Sequence, residues 1–270
     1  MRTGEAPVLL AVAHGTRTPA GAEVNRALLE RVRALRPGLD VRLCFLDHAR
    51  PTPAEALRRV AAEGRAVVLV PLLLGTGYHI RVDLPALLAA APPRLRARTA
   101  PPLGPDPLLA RALADRLAES GRPAGDRAPV VLAAAGSTDP AGNDAARRMA
   151  RLLAEHLAAP VEPAFLCADG PDPAEAVAAL RARGAQGVAV AGYLMAPGRF
   201  DREARSAGLA AGARYASAPL ADHPALARLV LRRYDASALA LAPQRSPLRE
   251  MRWAQAASPS ASHRSGPNTS

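Results

Sequence analysis

Three residues that could bind a metal or move a proton stand where apolar segments of the sequence stop. His14 follows the apolar run 7–13, Asp47 follows the run 40–46, and His79 comes shortly after the run 66–74. A neutral imidazole binds borderline divalent metals or accepts a proton near neutral pH. A carboxylate can orient a histidine, take a proton or help hold a cation. These residues can cooperate only if the fold brings them together.

An internal duplication shows which of these residues the fold itself requires. Segment 44–64 matches segment 164–184, and the dodecapeptide from Pro102 matches the one from Pro219. In the second copy, alanine, cysteine and phenylalanine stand at the positions of His14, Asp47 and His79: these are Ala135, Cys167 and Phe200. Both histidines are lost together, which favours a functional pair over two histidines kept for packing.

The alternation of short apolar runs and longer segments of helical period predicts an α/β fold of two tandem flavodoxin-like lobes, each with a parallel sheet. We expect lobes over 1–120 and 128–236, joined by a linker at 119–129, and a disordered tail over 237–270. The predicted strands are 7–13, 40–46, 66–74 and 95–100, then 129–135, 160–166, 187–195 and 213–217. The predicted helices of the first lobe are about 20–36, 53–64, 81–91 and 106–119.

This fold class predicts where a ligand binds. In an open parallel sheet the ligand lies beyond the carboxyl ends of the strands, where the strand order reverses, which is between strands one and three in flavodoxin-like order. His14 follows the first strand and His79 follows the third. The two histidines are therefore expected to converge. For Asp47, a role beside them and a role in capping the turn before Pro51 both stay open.

Composition narrows the classes of partner. The net charge is +11, all basic residues are arginine, and the aromatic residues are one Trp, four Tyr and three Phe, too few to stack along a nucleic acid. A small polyanionic ligand and a plain solvated arginine surface both fit. Without lysine there is no Walker A loop, and "GTGYHI" at 75–80 lacks the third glycine of a dinucleotide fingerprint. Two cysteines, no signal-like start and no long apolar run predict a cytoplasmic protein that binds neither membrane nor nucleic acid.

Taken together, these motifs resemble those of the sirohydrochlorin chelatases of the ATP-independent, class II type. The resemblance rests on "AHG" at 13–15, "FLD" at 45–47 followed by Pro51, and "PLLLGTGYHIRVDLP" at 71–85. It covers residues 7–119, and the degenerate second half is similar to that of two-lobed members. The family inserts iron or cobalt into sirohydrochlorin in siroheme and cobalamin biosynthesis.

The resemblance implies roles for particular residues. His14 and His79 would bind the entering metal and assist removal of the pyrrole protons. Asp47 would be the third catalytic residue, at a position where the family usually has glutamate. The ring would lie between the lobes, and its carboxylates would meet Arg17, Arg50, Tyr78, Arg81 and Arg199, with Arg202 as a further candidate. No prosthetic group is implied, because the divalent ion, Fe²⁺ or Co²⁺, is a substrate. The sparse histidine content of the tail, with only His263, favours iron, and a fused duplication makes a monomer plausible.

Other readings stay open. A carrier of metal or tetrapyrrole could use the same two histidines without catalysing insertion. "AHGTR" also resembles the "RHG" of histidine phosphatases, although Ala13 stands where the first arginine is needed. Finally, the second lobe could hold a polar site of its own through Ser137, Thr138 and Arg199.

Overall fold

The first half of the chain forms four parallel strands separated by helices. The computed structural model describes residues 6–15 and 19–241. The strands are β1 (Val8–Ala13), β2 (Val41–Phe45), β3 (Val67–Pro71) and β4 (Ala97–Thr99). The helices are α1 (Pro19–Leu35), α2 (Pro53–Ala62), a π-helical segment (His79–Asp83) that continues into α3 (Leu84–Ala89), and α4 (Pro107–Glu119).

The second half repeats this order of elements. Its strands are β5 (Val130–Ala134), β6 (Val161–Phe165), β7 (Ala189–Tyr193) and β8 (Tyr215–Ala216). Its helices are α5 (Pro140–Leu157), α6 (Pro173–Ala182), α7 (Arg199–Ala210) and α8 (Pro224–Leu239). No helix in the described residues is long and apolar enough to span a membrane.

The strand order confirms the predicted fold class. It is β2-β1-β3-β4 in the first sheet and β6-β5-β7-β8 in the second, with every pair parallel. The order reverses between the first and third strand of each half, so a crevice opens at their carboxyl ends. In the first half this places the residues after Ala13 and Pro71 beside each other.

Five helices, α2, α4, α5, α6 and α8, begin with a side-chain capping residue followed by proline. Thr52 and Asp172 each accept a hydrogen bond from the backbone N–H of the glutamate three residues on, Glu55 or Glu175. Each glutamate in turn accepts from the capping residue's backbone N–H, completing a capping box. The proline that follows suits the first helical position because its missing N–H would have no helical partner there.

The two lobes share one apolar core. The central strands β1, β3, β5 and β7 are completely buried. The largest apolar cluster contains β1 and β3 residues of the first lobe together with α8 residues of the second. Smaller clusters fill the other face of each sheet. Asp106, which caps α4, also accepts hydrogen bonds from Arg232 and Arg233 of α8. Apolar packing and the ion pairs of the buried Asp106 carboxylate therefore hold the lobes against each other.

Several elements differ from their predicted bounds in the structure. The third strand ends at Pro71 rather than at residue 74, and the eighth covers only Tyr215 and Ala216. The helix expected over 81–91 begins earlier, as π-helix at His79. The residues that follow Pro71 leave the strand to line a crevice. The start of the disordered tail predicted over 237–270 is wrong, because α8 continues through Leu239; residues 242–270 lie outside the described residues.

Candidate functional site

His14, Asp47 and His79 come together at the carboxyl ends of the first lobe's strands. One potential ligand atom from each lies within 4.8 Å of the others, and no second such group of histidine, cysteine and acidic side chains occurs in the described part of the chain. His14 and Asp47 are exposed and His79 is partly buried. The predicted convergence of the two histidines is therefore what the fold produces.

The two imidazoles are spaced as neighbouring ligands of one ion would be. Their Nε2 atoms are 3.2 Å apart, and the rings meet nearly edge to face at a centroid distance of 4.8 Å. Two nitrogens each about 2.1 Å from one metal would be about 3.0–3.4 Å apart for ligand angles between octahedral and tetrahedral. The pair therefore needs little movement to bind an ion.

A glycine beside His14 allows the Asp47 loop to approach. The backbone N–H of Asp47 donates to the His14 carbonyl at 2.8 Å, and Gly15 adopts φ +100°. A Cβ on Gly15 would lie 1.8 Å from the Asp47 carbonyl oxygen. The "HG" pair thus presents the imidazole and leaves room for the loop that carries the carboxylate.

Asp83 fixes the orientation of His79, a contact that the sequence analysis missed. Its Oδ2 lies 2.5 Å from His79 Nδ1, and both residues belong to the π-helical segment. Because a carboxylate only accepts, Nδ1 must donate, which leaves Nε2 as the nitrogen that faces His14. The spacing of four residues on a helix would have revealed this partner.

These side chains border two cavities. The larger, of about 970 Å³, lies between the lobes and is lined by His14 and His79 on one side and by Phe200, Asp201 and Arg202 on the other. A smaller cavity of about 330 Å³ lies on the other side of His79 and is bordered by Asp47 and Asp83. His79 is common to both walls.

The second lobe repeats the backbone of this site without its ligands. Cys167 donates its backbone N–H to the Ala135 carbonyl at 2.9 Å, as Asp47 does to His14, so the sequence correspondence holds in space. The Cys167 thiol lies 2.9 Å from the same carbonyl oxygen. Cys44 is a buried residue of β2, and burial raises the pKa of its thiol to about 12, so it stays a protonated core residue.

Comparison with known proteins finds one family twice in the chain. The CbiX family profile matches residues 8–120 and again residues 129–237. The chain belongs to the CbiX family. Both matched ranges contain the four strands of one lobe, so the duplication is a duplication of the CbiX unit itself.

Relatives of this CbiX chain carry chelatase names. A sirohydrochlorin ferrochelatase of Priestia megaterium is 30% identical over 152 residues, and a sirohydrochlorin cobaltochelatase of the same organism is 31% identical over 159. Each alignment covers 54% of this chain. The aligned part spans about half the length of each relative, 56% of the ferrochelatase and 50% of the cobaltochelatase. A solved structure named SirB from Bacillus subtilis with Fe³⁺ is 28% identical, with a TM-score of 0.76, over 86% of this chain and 96% of that one.

The predicted ring-binding residues of the CbiX chain separate into two groups. Tyr78 and Arg199 line the cleft between the lobes, and so does Arg202. Arg50 does not line it, because its side chain is exposed and pairs with Glu55. Arg81 also lies outside the lining and instead binds Asp139 of the other lobe at 2.9 Å. Arg17 falls outside the described residues.

Ser137 and Thr138, considered for a site of the second lobe, also line the cleft. Ser137 is already used by the local backbone: its N–H donates to Asn143 Oδ1 at 2.9 Å, and its Oγ accepts from the N–H of Asp139. These bonds shape the start of α5. A polar site there stays a prediction.

Proposed function

We propose that this protein inserts Fe²⁺ or Co²⁺ into sirohydrochlorin without ATP. The observation that carries the proposal is the convergence of His14, Asp47 and His79 beside a cleft large enough for a tetrapyrrole, with both histidines in the wall of that cleft. Membership of the CbiX family and the chelatase names of its relatives support the same reaction.

The three ligand side chains suit a metal ion that is bound transiently and then transferred to the ring. Two imidazole nitrogens and one carboxylate oxygen bind borderline divalent ions, and three protein ligands leave positions open for other donors. Two of the three side chains are exposed, so the ion can exchange. The ring nitrogens take the open positions, and the protein ligands then leave one by one.

Insertion also requires that the ring lose two pyrrole protons. An imidazole that no longer binds the metal has a free lone pair and can accept a proton at neutral pH. His14 and His79 thus serve in turn as ligand and as base. Asp83 holds the proton of His79 on Nδ1, so that Nε2 carries out both steps.

The cleft suits an anionic macrocycle. Leu72, Leu74 and Met195 provide apolar wall, and Arg199 and Arg202 stand at its second-lobe side. The peripheral carboxylates would form charge-assisted hydrogen bonds with these guanidinium groups. Tyr78, beside His79 and well exposed, is placed to cover one edge of the ring. We expect the reaction to take place in the cytoplasm. We also expect a monomer, because the second lobe of the same chain already forms the other wall of the cleft.

Fe²⁺ and Co²⁺ are both expected substrates, because the same nitrogen and oxygen donors serve either ion. The named relatives include one of each specificity at nearly equal identity. The choice in the cell follows from which ion is supplied.

Anaerobic absorbance spectroscopy tests the proposal. Sirohydrochlorin is mixed with Co²⁺ or Fe²⁺ and the protein at catalytic concentration, and metal insertion is counted per protein molecule. We expect many turnovers for the wild type, and at least about 100-fold slower insertion for His14→Ala and for His79→Ala.

His156→Ala is the matched control, because His156 is an exposed histidine on α5 outside the cleft. Its rate should equal that of the wild type. Wild-type insertion no faster than the protein-free reaction would contradict the chelatase proposal. If the protein then still bound Co²⁺ and sirohydrochlorin, the carrier function would replace it.

A further inference from the structure

The second lobe contributes a buried carboxyl group to the cleft. Asp201 is 6% exposed and lines the cavity on the wall opposite His14 and His79. Its Oδ1 is fully enclosed and has no hydrogen-bond partner among the described residues. This oxygen loses hydration without gaining a hydrogen bond, which is uncommon in a folded protein.

Helix capping does not account for this residue. Asp201 is the third residue of α7, the same position that Glu55 occupies in α2 and Glu175 in α6. Both glutamates accept a hydrogen bond from the backbone N–H of the capping residue. Asp201 makes no such bond, and α7 begins at Gly198 without a side-chain cap.

Nor does the fold require an acid here. The strand pairing shows which residues of the two lobes correspond. In the first lobe Ala11 of β1 pairs with Val70 of β3, and in the second lobe Leu132 of β5 pairs with Ala191 of β7, so corresponding residues are 121 positions apart. At this offset the residue of the first lobe that corresponds to Asp201 is Ile80. Ile80 packs against the apolar cluster of its sheet. An apolar side chain therefore satisfies the architecture, and the carboxyl group is an addition that faces the cleft.

We propose that the Asp201 carboxylate is a catalytic base that accepts one of the two pyrrole protons from the ring face turned toward the second lobe. This inference rests on the proposed function, since it assigns a residue to that reaction. With the ring between the lobes, the metal approaches from His14 and His79, and the opposite face of the ring meets the wall that holds Asp201.

The step balances without another reactant. A pyrrole N–H bond breaks, its electron pair stays on the nitrogen and bonds the arriving metal, and the proton passes to a carboxylate oxygen of Asp201. The neutral carboxyl group later releases this proton to water when the product leaves. The other pyrrole proton goes to a first-lobe imidazole, so the two protons leave on opposite faces of the ring.

The surroundings of Asp201 suit a base. Desolvation raises the pKa of its carboxyl group, and the positive charges of Arg205 and Arg202 oppose that rise. A carboxylate whose pKa is raised holds a proton more readily at the working pH than an ordinary one. The same arginines favour the charged form of the carboxyl group, which is the form that accepts a proton.

Asp201→Asn tests the assignment, because it keeps the shape of the side chain and removes the ability to accept a proton. Single-turnover insertion of Co²⁺ into sirohydrochlorin is followed by absorbance with protein in excess. We expect the rate to fall at least about tenfold, while ring binding, measured by fluorescence quenching, and Co²⁺ binding without the ring stay within about twofold of the wild type. Glu203→Gln, an exposed acid of the same helix, is the matched control and should keep the wild-type rate.

A second variant separates a base from a structural residue. Asp201→Gly opens space beside the ring, and added formate should restore part of its insertion rate while leaving Asp201→Asn unchanged. A wild-type rate in Asp201→Asn, or a loss in Asp201→Gly that formate does not relieve, would overturn the assignment. Failure of the proposed function looks different, because the wild type itself would then insert no metal.

Discussion

At the scale of single residues, the orientation of the His79 ring depends on its hydrogen bond to Asp83. Its Nε2 faces His14 because Nδ1 is bonded to Asp83, four residues on in the same helical segment. Such carboxylate partners fix the tautomer and orientation of a metal-binding imidazole. Asp83 would touch neither the ion nor the ring, so we assign it a positioning role.

Removing this partner should weaken metal binding. We expect Asp83→Ala to bind Co²⁺ about tenfold or more weakly, as measured by titrating the visible absorbance of the ion. Asp83→Asn should fall between Asp83→Ala and the wild type, because its amide oxygen can still accept from Nδ1 but carries no charge. Asp144→Ala, which removes an exposed acid paired with Arg147, is the control and should bind normally. Unchanged affinity in Asp83→Ala would show that His79 is held by packing alone.

The sequence predicts the placement of the two histidines better than the placement of the arginines. His14 and His79 could be found because strand ends converge in a parallel sheet and because the second copy lacks both. Arg81 was expected at the ring, yet it pairs with Asp139 across the lobes, and Arg50 pairs with Glu55 nearby. A long cationic side chain takes whichever carboxylate the tertiary structure brings close, and sequence spacing does not contain that information.

At the scale of elements, the site depends on two irregular pieces of backbone. Gly15 takes a left-handed conformation directly after β1, and the π-helical segment starts at His79. Helices with π geometry are rare and are frequent at functional sites. The periodicity of the sequence indicates a helix there but does not distinguish a π-helix from an α-helix, because the difference is a single hydrogen-bond register.

Gly15→Ala should damage the site and the stability together. An added Cβ would overlap the Asp47 carbonyl, so the loop that carries the carboxylate must move. We expect loss of Co²⁺ affinity as well as destabilisation beyond the cost of the left-handed conformation alone, about 1–2 kcal/mol. The measurements are Co²⁺ titration and urea unfolding.

Gly64→Ala is the matched comparison for this change. Gly64 also has positive φ, +67°, but an added Cβ there meets no atom within 4 Å. Gly64→Ala should therefore lower the free energy of unfolding only by the cost of the left-handed conformation, and it should keep full Co²⁺ affinity. Equal effects of the two substitutions would contradict the role assigned to the close approach at Gly15.

At the scale of the whole molecule, the two lobes act as one body. The largest apolar cluster draws on both, and Asp106 at the start of α4 is held by two arginines of α8. The boundaries expected from the sequence, 1–120 and 128–236, stay a prediction about chain segments. The shared core indicates that these segments do not unfold separately.

Asp106→Ala should destabilise the whole protein in a single transition. It removes the cap of α4 and leaves Arg232 and Arg233 without their buried partner, for an expected loss of about 2–4 kcal/mol. Scanning calorimetry should show one peak at a lower temperature. Two separated peaks, or an unchanged midpoint, would contradict a core common to both lobes.

We expect one divalent ion to bind between the lobes through the first lobe's three ligands. Anomalous diffraction from crystals soaked with Co²⁺ tests it most directly. We expect a single strong peak bonded to Nε2 of His14 and Nε2 of His79, with Asp47 beside it, and no peak in His79→Ala crystals. A peak at Cys167 or elsewhere in the second lobe, or an ion that persists without His79, would contradict it.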